Sequence, residues 1–536
     1  LLNYMEKKSM DLNNIKRNQL DYILTDMLPT ELSERFTFFY FYEFLMTKRK
    51  ELKQMNNFLI SVKNKYKTGV MFEGGGSGDG GHKGNNWVTM PLKYSIMKEL
   101  HTEREISLLQ PIAAVELFAF VSTYQKELIN LLDMNSIFSL RHHHKNNELC
   151  YKNKNKSITK YFAVESAQID KDLIEKTGMF FDIKPYKSIA SFTSSEEWLV
   201  LNSKYRYFIR TDYKACFDSI YTHTFKWLIG KDVNDTKDFK NTNIYTTIDR
   251  ILQNINARTS NGIVVGPEFS RMIAEILLQA IDRTVYSKLL NSGKAVGENY
   301  NVYRFVDDIF IFAESEELAN EIVQIYSEIS AKYLLRLNEG KLYKNTVPFV
   351  LDEWINETSI FANRTSACLF RTKEEQEIWL QKEKQNSQEK EVVPHILKSR
   401  ALYYSKRSIM NQLNELICEY PSKDRTIVAY FLGTILNKVS RNKENVKIFS
   451  EHVTEQTVAN FMDLIFYAYS FFPNYNNTQR FLSIVSYIRD EYDIFTSSEQ
   501  LQKLVNKYAF IFDKANLNDI INLVLFCAHA KIEIPY

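Results

Sequence analysis

Two adjacent carboxylates, Asp307 and Asp308, stand between short runs of aromatic and β-branched residues in the segment Tyr303–Phe312. This pattern predicts a strand, a tight turn and a second strand. Two neighbouring charges among apolar side chains are costly to bury unless a cation compensates them. Clustered carboxylate oxygens are ligands that suit a divalent metal ion. We therefore predict a metal site at this hairpin.

A further carboxylate, Asp212, ends the segment Tyr205–Tyr213, whose aromatic and β-branched residues predict a strand. One short segment cannot surround two metal ions, so ligands from separate strands have to converge if two ions act together on a phosphate. Asp212 and the Asp307–Asp308 pair could supply such a set. Asp218 fits better as the cap of a helix that starts near Ser219.

The elements around these carboxylates have to bring them together. Residues 261–282 predict a glycine-flanked loop that runs into a helix, with Pro267 in its first turn. An amphipathic helix is predicted at 316–335, and a strand, a turn and a strand follow at 335–343, with Lys341 near the bend. This succession is the order of a split β-α-β domain.

Length and composition set wider bounds. With 536 residues the chain has room for about three domains. A net charge of +3 permits a nucleic-acid partner without requiring one. The five cysteines are scattered and contain no Cys-x-x-Cys pair, which argues against a disulfide framework and a structural zinc site. No apolar run approaches the ~20 residues that span a bilayer, and no signal peptide is recognisable, so we expect a cytoplasmic protein with no membrane segment.

Residues 1–85 are predicted to form an N-terminal helical segment that ends in a flexible linker, because 74–84 holds seven of the sixteen glycines. A phosphate-binding loop is the alternative there, but the spacing does not give G-x-x-x-x-G-K-[ST]. The pattern from Trp87 to Leu132 predicts mostly helix.

A basic stretch at 141–160 carries six Lys and Arg residues against one Glu, with Tyr151 among them and Tyr161 directly after. One interpretation is a solvated hairpin. The other is a finger-like loop that grips phosphates, because cations interleaved with aromatic rings suit single-stranded nucleic acid. In that case Lys152, Lys154 and Lys156 would contact nucleic acid. The three histidines at 142–144 cannot all face one metal ion, which argues against zinc.

The C-terminal part differs from the preceding residues in composition. Residues 351–395 are predicted to be a charged connector, and 396–536 an all-helical domain. The amphipathic segments lie near 396–420, 425–440, 455–472, 476–491, 498–512 and 517–532. Pairs of them recur at very roughly 40 residues, which resembles a HEAT-like helical repeat, although no shared motif accompanies the pairs.

Four segments, in this order, resemble the motifs of reverse transcriptases. They are Asp212–Ile220, Gly262–Gly266 with Ser270, Phe305–Asp308 and Leu337–Lys341. The resemblance covers roughly residues 135–350 and implies an RNA-directed DNA polymerase. The expected fold is α+β, with right-hand polymerase fingers and a split β-α-β palm at 86–350, followed by the helical-repeat domain.

The resemblance also implies roles for individual residues. Asp212, Asp307 and Asp308 would bind two Mg²⁺ ions, for which Mn²⁺ could substitute, with the backbone carbonyl of Tyr213 as a further ligand. Phe217 would crowd a ribose 2′-hydroxyl and so favour dNTPs. The other residues expected to contact the nucleotide are Gly266, Ser270, Lys341, Arg141 and Lys145.

One difference from the reverse transcriptase motifs narrows the kind of enzyme that we expect. Most members carry Pro-Gln where this chain has Val264–Val265, and the glutamine helps to position template and nucleotide. This change, the helical C-terminal third and the segment Ser219–Lys231 resemble the bacterial abortive-infection and other defence-associated reverse transcriptases. Members of that group act against phages and assemble into oligomers.

Some members synthesise DNA without a conventional template or primer, starting from a protein tyrosine or using a noncoding RNA. We therefore expect dNTPs, noncoding RNA or a DNA product, and a second copy or a partner defence protein as binding partners. The 32 tyrosines leave the priming residue open. Tyr536 is a candidate only because a chain end is mobile.

Three other functions were weighed. A retron or group II intron-like enzyme would copy its own RNA, but Val264–Val265 and the helical C-terminal part count against it. A non-catalytic palm that serves as a scaffold is disfavoured by the intact Asp212, Asp307 and Asp308. A cyclic-nucleotide synthetase would carry Gly-Gly before the acidic pair, and that pair of glycines is missing here.

Overall fold

The structure, a computed structural model, describes most of the chain. The described residues are 19–29, 31–33, 36–47, 51, 53, 88–99, 102–134, 136–145, 179–230, 243–351, 353–366, 399–441, 455–491 and 498–534. The predicted linker at 74–84, the lysines Lys152, Lys154 and Lys156, and Tyr536 lie outside them. None of the described helices combines the length and the apolar character that crossing a membrane requires.

The N-terminal part carries a β-hairpin that the sequence did not predict. Its elements are α1 (Tyr22–Thr25), α2 (Phe39–Thr47), β1 (Leu92–Glu99), β2 (Thr102–Leu108) and α3 (Pro111–Ile129). The two strands pair antiparallel from Leu92–Leu108 onwards. The prediction of a mostly helical segment is therefore wrong for 92–108. Most of β2 is exposed, so its residues lack the apolar alternation that identifies a half-buried strand.

The central part is built on a four-stranded antiparallel sheet in the order β6-β7-β5-β8, and β3 and β4 form a separate pair. The elements are β3 (Arg141–Lys145), β4 (Phe181–Pro185), α4 (Ile189–Thr193), α5 (Glu196–Lys204), β5 (Tyr207–Thr211), α6 (Cys216–Ser219), α7 (Thr224–Trp227), α8 (Ile244–Asn254), α9 (Glu268–Asn291), β6 (Tyr300–Phe305), β7 (Asp308–Ala313), α10 (Glu316–Lys332) and β8 (Tyr343–Thr346). The predicted strand at 205–213, carboxylate hairpin and helix at 316–335 are confirmed. Asp218 lies inside α6, so its predicted role as the cap of a later helix is wrong.

The sheet is covered on both faces. Residues such as Ile209, Ile309 and Ile311 join the core formed with α9 and α10. On the opposite face, Phe208 and Phe312 pack with aromatic residues of α4 and α5 in a second cluster. Because successive strand residues point to opposite faces, this alternation fixes the pairing register of the strands.

The C-terminal part is helical, as predicted. Its helices are α11 (Trp354–Ser366), α12 (Ser399–Glu419), α13 (Asp424–Arg441), α14 (Glu455–Phe471), α15 (Tyr475–Glu491), α16 (Ser498–Lys507), α17 (Ile511–Lys514) and α18 (Leu517–Ala530). Helix α13 packs between α11 and α15, whereas α14 packs on α12 and α16, so the helices form two layers. Helix α11 joins this core although it lies within the predicted connector. The assignment to a HEAT-like repeat stays a prediction.

Helix α18 ties the N-terminal part to the helical layers. Asn518 Oδ1 accepts a hydrogen bond from the backbone N–H of Ser33 at 2.6 Å, and Asn522 Oδ1 accepts one from the Ser33 hydroxyl at 2.8 Å. Asn518 also donates to the carbonyl of Glu31. The same helix packs on β1. The hairpin of β1 and β2 therefore rests on the C-terminal helices.

Gly266 is the position in this framework where a side chain is least tolerable. Its φ is +126°, and an added Cβ would lie 2.7 Å from Pro29 Cγ and from Ile106 Cγ2. We expect Gly266→Ala to lower the free energy of unfolding by about 2–3 kcal/mol, because the clash adds to the backbone strain. Urea denaturation measures the change. Gly293→Ala is the control, because Gly293 also has a positive φ but no heavy atom near the added carbon. An equal loss in both variants would contradict the steric explanation.

Asp519, on α18, makes the stability of this junction depend on pH. Burial raises the pKa of Asp519 to about 7, against the smaller opposing effect of its hydrogen bond from Thr478. The unfolded carboxyl titrates near 4, so this group stabilises the fold fully below about pH 4 and the contribution is lost as the pH rises through 7. Between pH 5 and pH 8 the free energy of unfolding of the wild type should fall by roughly 2–4 kcal/mol on account of Asp519, and Asp519→Asn should not show this fall. Thermal melts at both pH values test this, and Asp513→Asn, at an exposed carboxylate, is the control. If the melting temperatures of wild type and Asp519→Asn change in parallel with pH, the explanation is wrong.

Candidate active site

The strand register brings the predicted carboxylates together. Strand β5 pairs with β7 antiparallel, with Thr211 opposite Ile309. The next residues towards this end of the two strands are Asp212 and Asp308, so the same register places them side by side on one face. Asp307 lies in the two-residue turn between β6 and β7. It precedes Asp308 in the chain and is near enough to Asp212 for the two charges to interact. Sequence segments far apart in the chain thus converge at one end of the sheet.

The turn that carries Asp307 has a strained backbone. Its other residue, Val306, has φ +56°, whereas Asp307 does not have a positive φ. Two-residue hairpin turns require a positive φ, normally supplied by glycine or asparagine. A β-branched residue in this region is a genuine outlier, and such strain persists only where the surroundings enforce it.

The three carboxylates repel one another and lack full compensation. Burial raises the pKa of Asp307, and the negative charges of Asp308 and Asp212 raise it further. Asp212 is buried; its Oδ2 accepts a hydrogen bond from Lys341 Nζ at 2.8 Å, while its Oδ1 has no hydrogen-bond partner. Asp308 Oδ1 accepts from Arg210 Nη2 at 2.8 Å. Lys341 therefore engages one oxygen of Asp212, and Arg210 engages one oxygen of Asp308.

These oxygens fit a divalent metal ion. Among the described residues, no set of three or more His, Cys, Asp or Glu side chains is already arranged around a metal position. However, the partnerless buried oxygen of Asp212 and the raised pKa of Asp307 both indicate a shortage of positive charge. Hard carboxylate oxygens are the ligands that Mg²⁺ and Mn²⁺ prefer. Asp212, Asp307 and Asp308 would hold such an ion.

Asp212 and Asp307 line a cleft of about 700 Å³, whereas Asp308 is not among its lining residues. Its lining includes Asp212, Asp307, Tyr213, Phe217, Gly262, Val264, Val265, Asn338 and Lys341. Tyr213 reaches the cleft with its backbone, because its phenol is buried and hydrogen-bonded to Ser330 at 3.0 Å. The predicted metal-binding role of its carbonyl stays a prediction.

The β1–β2 hairpin forms the opposite wall and supplies cations that sequence reasoning missed. Lys93, Lys98 and Arg104 all line the cleft, together with Glu103 and Glu105. Lys93 forms an ion pair with Glu105 at 2.6 Å, so Lys98 and Arg104 are the cations of interest here. The positive charge of Arg104 partly offsets the rise in the pKa of Asp307, which places it within electrostatic reach of that carboxylate. No motif marked these residues, and their segment was predicted to be helical. The only signal available was the concentration of charged residues at 93–105.

Two of the predicted motif segments are joined directly. The N–H of Ile263 donates to the carbonyl of Phe217, and the N–H of Gly262 donates to that of Ile220, both at 2.9 Å. Gly262 has φ +78°, and a Cβ there would lie 3.2 Å from the carbonyl oxygen of Asp218. Glycine is therefore required for this close approach. The contact holds the half-buried ring of Phe217 in the cleft wall.

The basic strand β3 lies elsewhere. Arg141 is buried, forms an ion pair with Glu268 at the start of α9, and stacks its guanidinium 5.3 Å from the ring centre of Phe305. Lys145 is exposed at the end of β3. Neither residue lines the cleft, and their expected contact with the nucleotide stays a prediction.

Gly266 and Ser270 also lie outside the cleft lining, and their expected nucleotide contacts stay a prediction. Gly266 packs between Pro29 and Ile106, and Ser270 is fully buried on α9. The physical reason is that the loop turns inward after Val265, whose carbonyl accepts a hydrogen bond from the N–H of Ser107 at 2.8 Å. The glycine-flanked loop therefore faces the cleft from Asn261 to Val265 but not at Gly266.

Comparison with known proteins agrees with this site. Residues 147–360, which include all three carboxylates, match the family model described as reverse transcriptase (RNA-dependent DNA polymerase). A comparison with curated proteins gave no match. Among solved structures, telomerase from Candida albicans in complex with a telomeric RNA fragment is 11% identical, with a TM-score of 0.27, over 71% of this chain and 64% of that chain.

Apo telomerase from Candida tropicalis is 10% identical, with a TM-score of 0.29, over 84% of this chain and 67% of that chain. This chain thus spans less than two thirds of the Candida albicans telomerase chain. At TM-scores this low the likeness carries no argument about function. A functional proposal can instead start from the match of residues 147–360 to the reverse transcriptase model and from the sheet that carries the three carboxylates.

Proposed function

We propose that this chain is a DNA polymerase that joins dNTPs by metal-dependent nucleotidyl transfer at Asp212, Asp307 and Asp308. The observation that supports this most strongly is the convergence of the three carboxylates at one end of the sheet, with Asp212 and Asp307 in a cleft that Lys98 and Arg104 also line. Divalent ions, when bound, activate the attacking hydroxyl and neutralise charge on the triphosphate. The three carboxylates would bind them, with Mg²⁺ as the expected ion and Mn²⁺ as a substitute.

Cationic residues around the carboxylates suit a triphosphate. Lys341 stays protonated, because its hydrogen bond to Asp212 raises the pKa of the amine. It can donate to a phosphate oxygen or protonate the departing pyrophosphate. Lys98 and Arg104, on the opposite wall, can neutralise the outer phosphates.

We also propose that the enzyme serves in defence against phages and copies nucleic acid in a non-standard way. The support is the sequence resemblance together with the character of the cleft wall at 264–265. Val264 and Val265 are among the residues that line the cleft, and valine has no side-chain group that could hydrogen-bond to a base or template edge as glutamine does. The protein itself would therefore select the incoming base only weakly. Stronger selection would come from base pairing with a bound noncoding RNA. A homo-oligomer or a partner defence protein belongs to the same proposal.

Sequencing of co-purified nucleic acid tests templating most directly. Purified protein is divided into untreated, nuclease-treated and protease-treated samples, and each is assayed for incorporation of labelled dNTPs. A templated enzyme yields DNA complementary to one RNA and loses activity with nuclease. An untemplated enzyme keeps its activity and makes DNA of biased composition, and a protein-primed product stays attached to a peptide until protease treatment. No incorporation in any sample, with Mg²⁺ or Mn²⁺ and with added primer and template, would contradict the proposed activity.

The defence role needs a separate measurement. Cells that express the wild-type chain should form fewer plaques under phage challenge than cells that express Asp307→Asn. Equal plaque numbers at equal protein levels, over a panel of phages, would contradict the defence role and leave the polymerase proposal untouched.

A further inference from the structure

A buried ionic network lies directly behind the catalytic turn. Arg304, at the end of β6, is fully buried. Its Nη2 donates to Glu275 Oε1 at 2.7 Å and its Nη1 donates to Glu275 Oε2 at 3.0 Å, a two-point pairing. Its Nε donates to Asp282 Oδ2 at 2.8 Å, and Tyr326 donates to the other oxygen of Asp282 at 2.9 Å. Both carboxylates belong to α9, so the network ties the sheet to this helix.

One bond of this network reaches the turn itself. Arg304 Nη1 also donates to the backbone carbonyl of Val306 at 2.9 Å. Val306 is the residue with φ +56°, and its carbonyl belongs to the peptide unit that leads into Asp307. The backbone of Arg304 is held as well, because its N–H donates to the carbonyl of Phe138 and its carbonyl accepts from the N–H of Leu140. A fixed guanidinium therefore fixes the strained peptide.

Stability alone does not account for a buried arginine at this place. Removing an ion pair from water costs so much that well-packed apolar residues of similar volume often stabilise a fold equally well. A charged donor to a carbonyl is, however, stronger than a neutral one and fixes direction. The strained turn is the feature here that needs such directional support.

We propose that Arg304 is a positioning residue that holds the Val306–Asp307 turn in its left-handed conformation, so that Asp307 and Asp308 point towards the metal site. This inference rests on the proposed function, because it takes the two carboxylates as metal ligands. Arg304 itself does not line the cleft and touches no substrate there. Glu275 and Asp282 act one step further away by holding the guanidinium.

The test compares two variants that disturb the same network. Arg304→Lys keeps the charge but loses the planar fork that reaches Glu275 and Val306 together. Tyr326→Phe loses a hydrogen bond to Asp282 at the far end of the network and leaves the bond to Val306 in place. Mn²⁺ affinity is measured by calorimetry without nucleotide, and kcat and KM for dNTP incorporation are measured separately.

We expect Arg304→Lys to weaken Mn²⁺ binding and to lower kcat roughly 10- to 100-fold, the range typical of residues that orient metal ligands, with KM for dNTP nearly unchanged. Tyr326→Phe should lower the melting temperature but leave Mn²⁺ affinity and kcat within about twofold. Equal Mn²⁺ affinity in both variants, while the wild type incorporates dNTPs, would overturn the inference. If the wild type incorporates no dNTP at all, the proposed function fails and the Mn²⁺ comparison still decides the role of Arg304.

A rescue experiment covers the case in which Arg304→Lys folds poorly. Val306→Gly relieves the strain, because glycine adopts a positive φ freely. In the Arg304→Lys, Val306→Gly double variant, Mn²⁺ affinity should recover most of its loss. If the double variant binds Mn²⁺ as weakly as Arg304→Lys, Arg304 does not act through the turn and the inference is wrong. If Arg304→Lys cannot be purified folded, Glu275→Gln, which weakens the anchoring of the guanidinium, takes its place in both comparisons.

Discussion

The Asp307→Asn variant should lose incorporation of dNTPs by roughly 10³-fold or more, with its fold intact. Asparagine has nearly the same shape but provides one oxygen and no charge, so it removes a metal ligand from the centre of the site. Asp308 and Asp212 remain, but one is paired with Arg210 and the other with Lys341. Steady-state incorporation of labelled dNTPs measures the loss.

The same variant should not be less stable than the wild type. The pKa of Asp307 is raised by burial and by its acidic neighbours, so ionisation of this carboxyl opposes folding at neutral pH. A neutral side chain removes that opposition, and the melting temperature should stay equal or rise. Glu328→Gln, at an exposed ion pair with Lys288, is the matched control and should keep full activity. Activity of Asp307→Asn near the wild-type level would show that the carboxylates are not the catalytic centre.

The Phe217→Val variant should lose discrimination against ribonucleotides by roughly 10- to 100-fold in kcat/KM. Phe217 lines the cleft next to Asp212, and its backbone is held in place by Ile263. A half-buried aromatic ring at this place excludes a 2′-hydroxyl by its volume, and valine leaves room for it. Incorporation of rNTPs should therefore rise while incorporation of dNTPs changes little.

Tyr221→Leu is the control for this experiment. Tyr221 is also half-buried and lies just after the same short helix, but it is not among the cleft-lining residues. Its ring contacts His223 edge-on and packs at a tilt against Trp227. Its removal should leave sugar selection unchanged. If both variants or neither variant accept ribonucleotides, the proposed role of Phe217 is wrong.

The parts that could be predicted from the sequence are those with strong local patterns. The strand that ends at Asp212 and the hairpin around Asp307 are rich in aromatic and β-branched residues, and each is buried on one face or both. The C-terminal helices carry long amphipathic repeats, so their bounds were predicted to within a few residues. In both cases the local pattern and the burial in the fold agree.

The parts that were missed depend on contacts between distant segments. The β1–β2 hairpin has exposed, charged strands, and it is held by contacts with α18 and with the loop at Val265. A local sequence pattern does not predict contacts with such distant segments. Arg141 was expected to bind phosphate because it opens a basic stretch, yet Glu268, far along the chain, holds it. Arg304 showed no signal at all, because a buried arginine is recognised only by its partners.

The central claim, that Asp212 and Asp307 hold the catalytic metal ions, is tested most directly by anomalous diffraction. Crystals of the full chain are grown with Mn²⁺ and a non-hydrolysable dNTP, and data are collected at a wavelength where manganese scatters anomalously. We predict manganese peaks about 2 Å from oxygens of Asp212 and Asp307, with the triphosphate beside them in the cleft. A nucleotide bound in the cleft with no manganese at these two carboxylates would contradict the account.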